Sequence, residues 1–455
     1  MIKRILIANR GEIVNRIIRT CRKMGIETVV VYSDADAGQH YIDEADFSYN
    51  IGKSAPSKSY LNIDVLIDVL RESKADAVHP GYGFLSESAD FAKAVAAEGA
   101  VWIGPAPEVL EAIESKCHCR KIASDNCVPI TPGTIKPVTD INDIADEAHR
   151  NGLPLLLKLD KGGGGKGIHK IEDVDSIEKL SADLESVKAI GRMAFASDDV
   201  YVEKAVSNPR HIEVQFIADR YGNVICLGER ECSIQRRFQK IIEESPSVAV
   251  SLHERKKLYQ YTAAVVRAMG YSNAGTVEFL LDETGSFYFM EINARLQVEH
   301  PVSEMVTGID IVAGQIKAAS GEKLSMKQED VTIEGHAIEC RIYAEDPYTF
   351  VPCPGKIEHV VFPDSDNGNV RIEHAVYDGY KVSPFYDPMI AKVITKGRDR
   401  AECIERMKEA LSGFVIEGIK TSIPFELKII DNPLFKDGTF TTAFLDKITF
   451  QEDNV

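Results

Sequence analysis

Five polar residues at alternate positions, Glu291, Asn293, Arg295, Gln297 and Glu299, interleave with the apolar series Ile292, Ala294, Leu296 and Val298. In an extended strand, residues two apart share a face, so this spacing lines up carboxylates, amides and a guanidinium on one side. Alternation alone also describes an ordinary half-exposed strand with a wet face. What sharpens it is Glu278, in the middle of the apolar run 274–281 just upstream. Asp282-Glu283-Thr284-Gly285 reads as a turn joining the two runs into a hairpin, which lets Glu278 and Glu291 face each other. Two carboxylates and the Asn293 amide on one sheet face suit a hard cation such as magnesium, which keeps waters and phosphate oxygens for its remaining positions.

A second group of residues suits phosphate. Lys158 follows the strand-like run 155–157, and Lys161-Gly162-Gly163-Gly164-Gly165-Lys166-Gly167 comes next. So many glycines cost backbone entropy unless the chain must approach something closely, and backbone N–H groups cradling a phosphate chain are the usual reason. The Walker loop is excluded, because Gly167 stands where Ser or Thr is needed and the strand-like 168–171 follows where a helix should start. A Gly-rich hairpin that closes over nucleotide fits better.

Several elements must position these groups. A strand at 5–8, a helix opening at Asn9-Arg10-Gly11-Glu12 with Ile13, Ile17, Ile18 and Cys21 at helical spacing, and a strand at 28–32 begin the chain. Helix 61–73, strand 75–79, helix 91–97 and strand 101–104 continue the alternation, which predicts a doubly wound parallel sheet. The first turn lacks G-x-G-x-x-G, so a nicotinamide enzyme is disfavoured. Pro80-Gly81-Tyr82-Gly83-Phe84 lies at a strand's carboxyl end, where open α/β sheets bind ligands.

Helices 107–115 and 116–125 follow, the second carrying Cys117-His118-Cys119, which lacks a second pair at zinc spacing. Helix 174–190 and strands 200–204, 211–218 and 224–227 lead to the charged stretch 229–240, either a solvated loop or the lining of a site. Helix 252–269 is marked by a Ser251/Glu254 capping box and by Gly270. Beyond Pro301, helix 309–320, strands 336–343, 355–362 and 389–395, and helix 398–411 suggest an α+β unit.

With 455 residues the chain should form several domains. Its net charge of −17 leaves no basic surplus for a nucleic-acid backbone. No apolar run is long enough to cross a bilayer and no leader pattern opens the chain, so the cytoplasm is the expected location. Nine scattered cysteines suit free thiols there.

Joined in order, these pieces resemble the biotin carboxylase subunit of biotin-dependent carboxylases, of the acetyl-CoA carboxylase type, within the ATP-grasp superfamily. The segments that carry the resemblance are Ile7-Ala8-Asn9-Arg10-Gly11-Glu12-Ile13, His79 through Glu87, Gln235-Arg236-Arg237, Glu291 through Pro301, and Glu339-Cys340-Arg341. The fold it implies is α/β and α+β, with a Rossmann-like domain over 1–115, a mobile ATP-grasp lid over 116–204, a catalytic core over 205–330 and a C-terminal domain over 331–455.

The reaction it implies has two steps. ATP phosphorylates bicarbonate to carboxyphosphate, and carbon dioxide released from it is passed to N1′ of biotin on a carrier protein. The resemblance makes Glu299 the base that deprotonates bicarbonate. Arg295, Lys240, Gln297 and the backbone of Val298 would hold bicarbonate, since a small anion in a dry site needs charge-assisted donors. Arg341 would stabilise the enolate-like biotin oxygen, with Tyr82 and Gly83 near the ureido ring. Lys116 and Lys158 would contact the ATP phosphates beneath a lid of Gly163, Gly164, Gly165, Lys166 and Gly167. Glu203, Lys204 and Val206 would hold adenine, and His211 the ribose, with Gln235 also in the nucleotide site. Glu278, Glu291 and Asn293 would bind magnesium or manganese.

The chain shows neither an Ala-Met-Lys-Met biotinylation motif nor a carboxyltransferase region, so carrier and carboxyltransferase are expected as separate proteins, with the chain itself a homodimer. The final acceptor, an acyl-CoA, pyruvate, another oxo acid or a urea-like compound, is left open, as are a different ATP-grasp ligase activity and a weakened carrier-binding subunit. Three positions depart from the family pattern. Phe238 stands where a histidine that touches nucleotide is usual, Leu159-Asp160-Lys161 precedes a shortened Gly-rich loop, and Lys23 replaces an acid near the usual dimer contact.

Overall fold

Five short strands open the chain as a parallel sheet in the order Phe47–Asn50, Glu27–Tyr32, Arg4–Ile7, Ala77–His79 and Val101–Trp102. The computed structural model describes residues 2–448 apart from 163, 164, 166, 366 and 367. Ile5 and Ile7 pack with Ile13, Ile17 and Ile18 of the helix Glu12–Met24 on one face, whereas Leu6 packs with Leu66 and Leu70 of the helix Ile63–Ser73 on the other. Cover on both faces is what a continuous apolar strand requires. The turn after Ala77–His79 is pinned by Asn9, whose Nδ2 donates to the Pro80 and Tyr82 carbonyls at 2.7 and 2.8 Å. Gly81 has φ 64, and a Cβ there would meet Asn9 Nδ2 at 2.9 Å, so glycine is required.

A small antiparallel sheet follows, with Leu155–Leu159 between Ile168–Ile171 and Val200–Lys204. The helices Ile141–Asn151 and Ile177–Phe195 contribute Ile144, Leu180, Leu184 and Val187 to its core. The first of these helices was not legible from periodicity, but its Asp140/Asp143 capping box marks its start. The Gly-rich stretch joins two paired strands, as expected.

The largest element is a sheet of eight strands in the order Phe287–Asn293, Asn273–Leu281, Arg210–Ala218, Val224–Arg236, Gln239–Ser245, His336–Tyr343, Met389–Gly397 and Val370–His374. The strands expected at 336–343 and 389–395 therefore extend the same sheet that carries the Glu278 hairpin. The expected strand 355–362 is shorter, His359–Val361, and pairs with Val415–Glu417. The charged stretch 229–240 is not a solvated loop, although its strand pairing shifts register between Glu231 and Gln235. It forms most of a buried hairpin whose two-residue tip, Arg237-Phe238, has φ 50 and 67.

One expectation is corrected. The strand through Glu291 ends at Asn293 and does not run to Glu299. Glu299 instead occupies the N-cap position of the helix His300–Thr307, whose first turn contains Pro301. Proline favours that position because its missing N–H would be unbonded there anyway. Among the described residues no helix is long and apolar enough to cross a membrane, and all nine cysteines are free.

Candidate active site

Four charged residues form one rung across the large sheet. Glu291 stands opposite Glu278, Glu278 opposite Glu213, and Glu213 opposite Arg230. Like charges directly opposed on neighbouring strands repel, so the rung needs cations. Arg230 Nε lies 2.5 Å from Glu213 Oε1, with both side chains wholly buried. Lys240, reaching over from the hairpin strand Gln239–Ser245, completes the neutralisation. Its Nζ lies 2.6 Å from Glu213 Oε2, 2.9 Å from Glu278 Oε1 and 2.7 Å from Glu299 Oε1. Burial alone would push this ammonium down, but the carboxylates of Glu213, Glu278 and Glu299 reverse that and hold it well above the usual lysine range.

The same contacts act on the acids. Burial would raise Glu299, yet Lys240 and Arg341 outweigh it and keep the carboxyl below its ordinary value. Arg341 Nη2 donates to Glu299 Oε2 at 2.9 Å. Glu278 is held well below the carboxylate range by Lys240 and His211 against burial. Cys232 is driven up by burial and Glu213, so its thiol is an inert packed group.

Residues 293–297 bring further donors to this edge. Arg295 donates to Glu87 Oε2 at 3.1 Å, to Gln297 Oε1 at 2.8 Å and to Asn293 Oδ1 at 3.2 Å. Gln297 donates in turn to Thr276 Oγ1 at 2.7 Å. The Val298 carbonyl accepts from Lys392 Nζ at 2.7 Å. Arg295, Gln297 and Glu299, which the alternation grouped, thus lie near Lys240 and Arg341, which the resemblance added, although only the first part of the segment is strand.

Glu278, Glu291 and Asn293 also converge. Asn293 Nδ2 donates to Glu278 Oε1 at 2.8 Å, and Lys116 Nζ lies 3.5 Å from Glu291 Oε2. Both carboxylates are therefore balanced by a lysine, and their hard oxygen donors fit a magnesium ion, which would supply the same positive charge. His211, Glu213 and Glu278 also present ligand atoms close together, but the Lys240 ammonium touches both carboxylates and already provides the cation there.

The remaining nucleotide candidates divide into two groups. His211 Nε2 is 2.8 Å from Glu278 Oε2, and Gln235 Nε2 is 3.4 Å from His211 Nδ1, so both line the acid rung. Lys158, Glu203, Lys204 and Val206 belong to the small sheet and the chain leaving it. Lys158 Nζ lies 2.9 Å from Glu203 Oε1, and buried Arg120 reaches Glu203 Oε2 at 3.0 Å. Lys204 Nζ donates to the Leu153 carbonyl at 2.5 Å, and Val206 is half-buried. The Glu203 carboxylate is consumed by its two cations, and the Lys204 and Ala205 N–H groups donate to the Pro132 and Pro154 carbonyls at 2.7 and 3.1 Å. Gly165 and Gly167 have φ 73 and 74, while Gly163, Gly164 and Lys166 lie outside the described residues. Phe238, exposed at the hairpin tip, packs against Gly165, where an added Cβ would meet its ring at 2.3 Å.

Tyr82 Oη donates to Glu12, and Lys392 Nζ lies 2.9 Å from Glu12 Oε1 and 5.7 Å from the Tyr82 ring. Gly83 is exposed beside it with φ 67. Sequence reasoning missed Glu213, Glu243 and Lys392 as members of the site. A signal existed for Glu213, since a charge within the run 212–218, apolar apart from Gln215, is costly unless paired, the same argument that singled out Glu278.

Residues 1–110 match the family described as biotin carboxylase, N-terminal domain, residues 115–327 the carbamoyl-phosphate synthase L chain, ATP binding domain, and residues 339–447 the biotin carboxylase C-terminal domain. The chain belongs to the biotin carboxylases, and with its ATP-grasp core it is an ATP-dependent ligase. It is 47% identical over 448 residues to biotin carboxylase 1 of Bacillus subtilis, covering 98% of both chains. The structure of a biotin carboxylase-beta-gamma-ATP complex from Campylobacter jejuni matches it with TM-score 0.95 at 43% identity, covering 98% of this chain and 99% of that one. The biotin carboxylase domain dimer of Hydrogenobacter thermophilus 2-oxoglutarate carboxylase, in complex with MgADP, ADP and bicarbonate, matches with TM-score 0.94 at 41% identity, covering 99% and 100%.

Proposed function

We propose that this chain carboxylates biotin borne on a separate carrier protein, using ATP, magnesium or manganese, and bicarbonate, and that it serves an acetyl-CoA carboxylase or a related enzyme whose carboxyltransferase is a separate subunit. The observation that supports this reading best is the placement of Glu299, one oxygen at Lys240 and the other at Arg341.

In this reading bicarbonate enters beside Lys240, Arg295, Gln297 and the Val298 backbone. As it draws Lys240 toward itself, Glu299 loses part of the charge that depresses its pKa and becomes a better base. Glu299 takes the bicarbonate proton while the oxygen attacks the γ-phosphate, and ADP leaves. The carboxyphosphate formed breaks down to carbon dioxide and phosphate, and the phosphate removes the N1′ proton of biotin. Arg341 then faces the developing negative charge on the ureido oxygen, with Tyr82 and Gly83 beside the ring. Glu278, Glu291 and Asn293 would hold magnesium, which neutralises phosphate charge when bound. Lys116 and Lys158 would bind the phosphates under the loop of Gly163, Gly164, Gly165, Lys166 and Gly167. Glu203, Lys204 and Val206 would meet adenine, with His211 at the ribose and Gln235 beside it.

The acceptor is proposed as acetyl-CoA, with a place in fatty-acid synthesis, and the assembly as a cytoplasmic homodimer. The 2-oxoglutarate carboxylase domain is nearly as similar as the other relatives, so an oxo acid is the competing acceptor. A second reading, a weakened subunit that chiefly binds carrier, draws on Phe238, which packs against the lid glycine Gly165. Bicarbonate-dependent ATP hydrolysis by the purified chain, stimulated by free biotin, is the expected result. Its complete absence would overturn the first reading and favour the second.

A further inference from the structure

Behind Arg341, two carboxyls that the proposed reaction does not use stand directly opposite each other. Glu243 on the strand Gln239–Ser245 pairs in register with Glu339 on His336–Tyr343, and both are wholly buried. Directly opposed residues put their Cβ atoms about 4.5–5.5 Å apart. Among the described residues none of the four carboxyl oxygens has a well-aligned hydrogen-bond donor, Arg341 Nη2 near Glu243 Oε1 being the nearest approach.

The surrounding cations are already engaged. Arg230 is held by Glu213, and Lys392 by Glu12 and the Val298 carbonyl. Lys240 is shared among Glu213, Glu278 and Glu299. Arg341 Nη2 serves Glu299 at 2.9 Å and touches Glu243 Oε1 at 2.5 Å without an aligned hydrogen bond. Glu339 has no ion pair among the described residues. Two dry carboxylates face to face with at most a share of one guanidinium cannot both be ionised.

We propose that Glu243 and Glu339 hold one proton between them, and that this proton keeps Arg341 available to Glu299 and to the anionic oxygen of the substrate. Ionised together, the pair would carry two charges beside Arg341 and draw it away from Glu299. Sharing a proton, they carry one. Burial pushes both carboxyls up, Glu243 to about 7.

The other titratable groups facing the pair do not remove the need. Tyr82, Tyr343, Cys232 and Cys340 are themselves pushed up by burial and stay neutral. Glu426, on the helix Ile423–Asp431, is another buried carboxyl pushed up, with one oxygen bonded to Ser422 Oγ and the other without a donor.

The placement of the proton rests on this geometry alone, whereas its service to Arg341 rests on the proposed carboxylation. The test is infrared spectroscopy of the full chain, isotope-labelled at its glutamate carboxyls, in a Glu426→Gln background and read as variant-minus-parent differences, so that Glu231, another carboxyl pushed up by burial, cancels. At neutral pH the parent should show a carboxylic-acid carbonyl band that Glu339→Gln loses, because Glu243 then ionises against Arg341. Glu243→Gln, made in parallel in case the first variant does not fold, should keep an acid band at a shifted frequency, because Glu339, with no cation partner of its own, then holds the proton alone. An unchanged band, or none in the parent, overturns the shared proton.

The role is read from the alkaline limb of bicarbonate-dependent ATP cleavage. The parent should decline about tenfold per pH unit once the pair loses its proton, and Glu339→Gln should remove that decline. An identical decline in the variant overturns the role but not the shared proton. A chain that cleaves no ATP in any form overturns the carboxylation reading, and the infrared band still decides where the proton sits.

Discussion

Arg341 and Glu299 meet at 2.9 Å, guanidinium Nη2 to carboxylate Oε2, although one lies in the sheet and the other caps a helix. Glu299→Gln keeps an oxygen for Arg341 but removes the base. ATP cleavage should fall by roughly 10²–10⁴-fold, the usual contribution of a positioned base. Nucleotide binding, followed by titration calorimetry, should stay within about twofold. A matching loss of binding would mean that Glu299 only maintains the site.

Glu291 sits at the other end of the same segment, 3.5 Å from Lys116. Glu291→Gln should weaken magnesium-nucleotide binding by about tenfold while leaving metal-free nucleotide binding nearly unchanged, because it removes one hard ligand and not a phosphate contact. Should this variant and Glu299→Gln merely melt alike in a thermal scan, the residues would be structural.

The contrast between these two residues also shows what sequence could and could not give. Period-two alternation found Glu291 and Asn293 because the strand runs through them, and the Glu278 pairing followed from the turn between two apolar runs. The same alternation carried on past Asn293 without a strand. Arg295 and Leu296 still follow it, but Gln297 is buried, held by Thr276 from the neighbouring strand. That partner lies across the fold, where local pattern has no reach. The next helix was expected only from 309, whereas the fixed φ and missing N–H of Pro301 suit the first turn of a helix that starts at His300. Lys240 came only through family resemblance, since its three carboxylate partners lie on three separate segments. Glu213 and Lys392 had no local signal beyond a charge among mostly apolar neighbours, and Glu243, followed by Glu244 and Ser245, had not even that.

Arg120 is 1% exposed and donates to Glu203 Oε2, Thr131 Oγ1 and the Thr131 carbonyl. It therefore anchors the strand that leads from the small sheet into the core. Arg120→Ala would leave Glu203 with Lys158 as its one cation beside the Thr131 hydroxyl, and removing one member of a buried pair costs about 3–5 kcal/mol. Chemical denaturation should show that loss. Arg120→Met, which keeps the volume, should recover part of it if packing contributes, and none if the charge alone matters.

Phe238 forms half of a two-residue hairpin tip in which both φ values are positive, a conformation that favours Asn or Gly over a bulky side chain. Its ring packs on Gly165, so the tip is held against the Gly-rich stretch. Phe238→His should tighten ATP binding by roughly three- to tenfold, about 0.6–1.4 kcal/mol, by adding a hydrogen-bonding ring at the same place. Unchanged affinity would mean that Phe238 does not face the nucleotide.

His79 ends the strand Ala77–His79 with its ring wholly buried, Nδ1 accepting from the Gly81 N–H at 3.1 Å. Burial, aided by the Arg16 charge and opposed by a hydrogen bond with Gln315, pushes it down to about 3. The unfolded chain binds this proton near pH ~6.5 and the folded one does not. The stabilisation is thus full above the unfolded value and is lost as pH falls toward the folded value, at about 1.4 kcal/mol per pH unit. Urea midpoints measured from neutral pH down to about pH 4 should fall with a slope one proton steeper in the wild-type chain than in His79→Gln. Equal slopes would mean that the folded chain protonates His79 as readily as the unfolded one, and that the turn holding Tyr82 does not depend on a neutral ring.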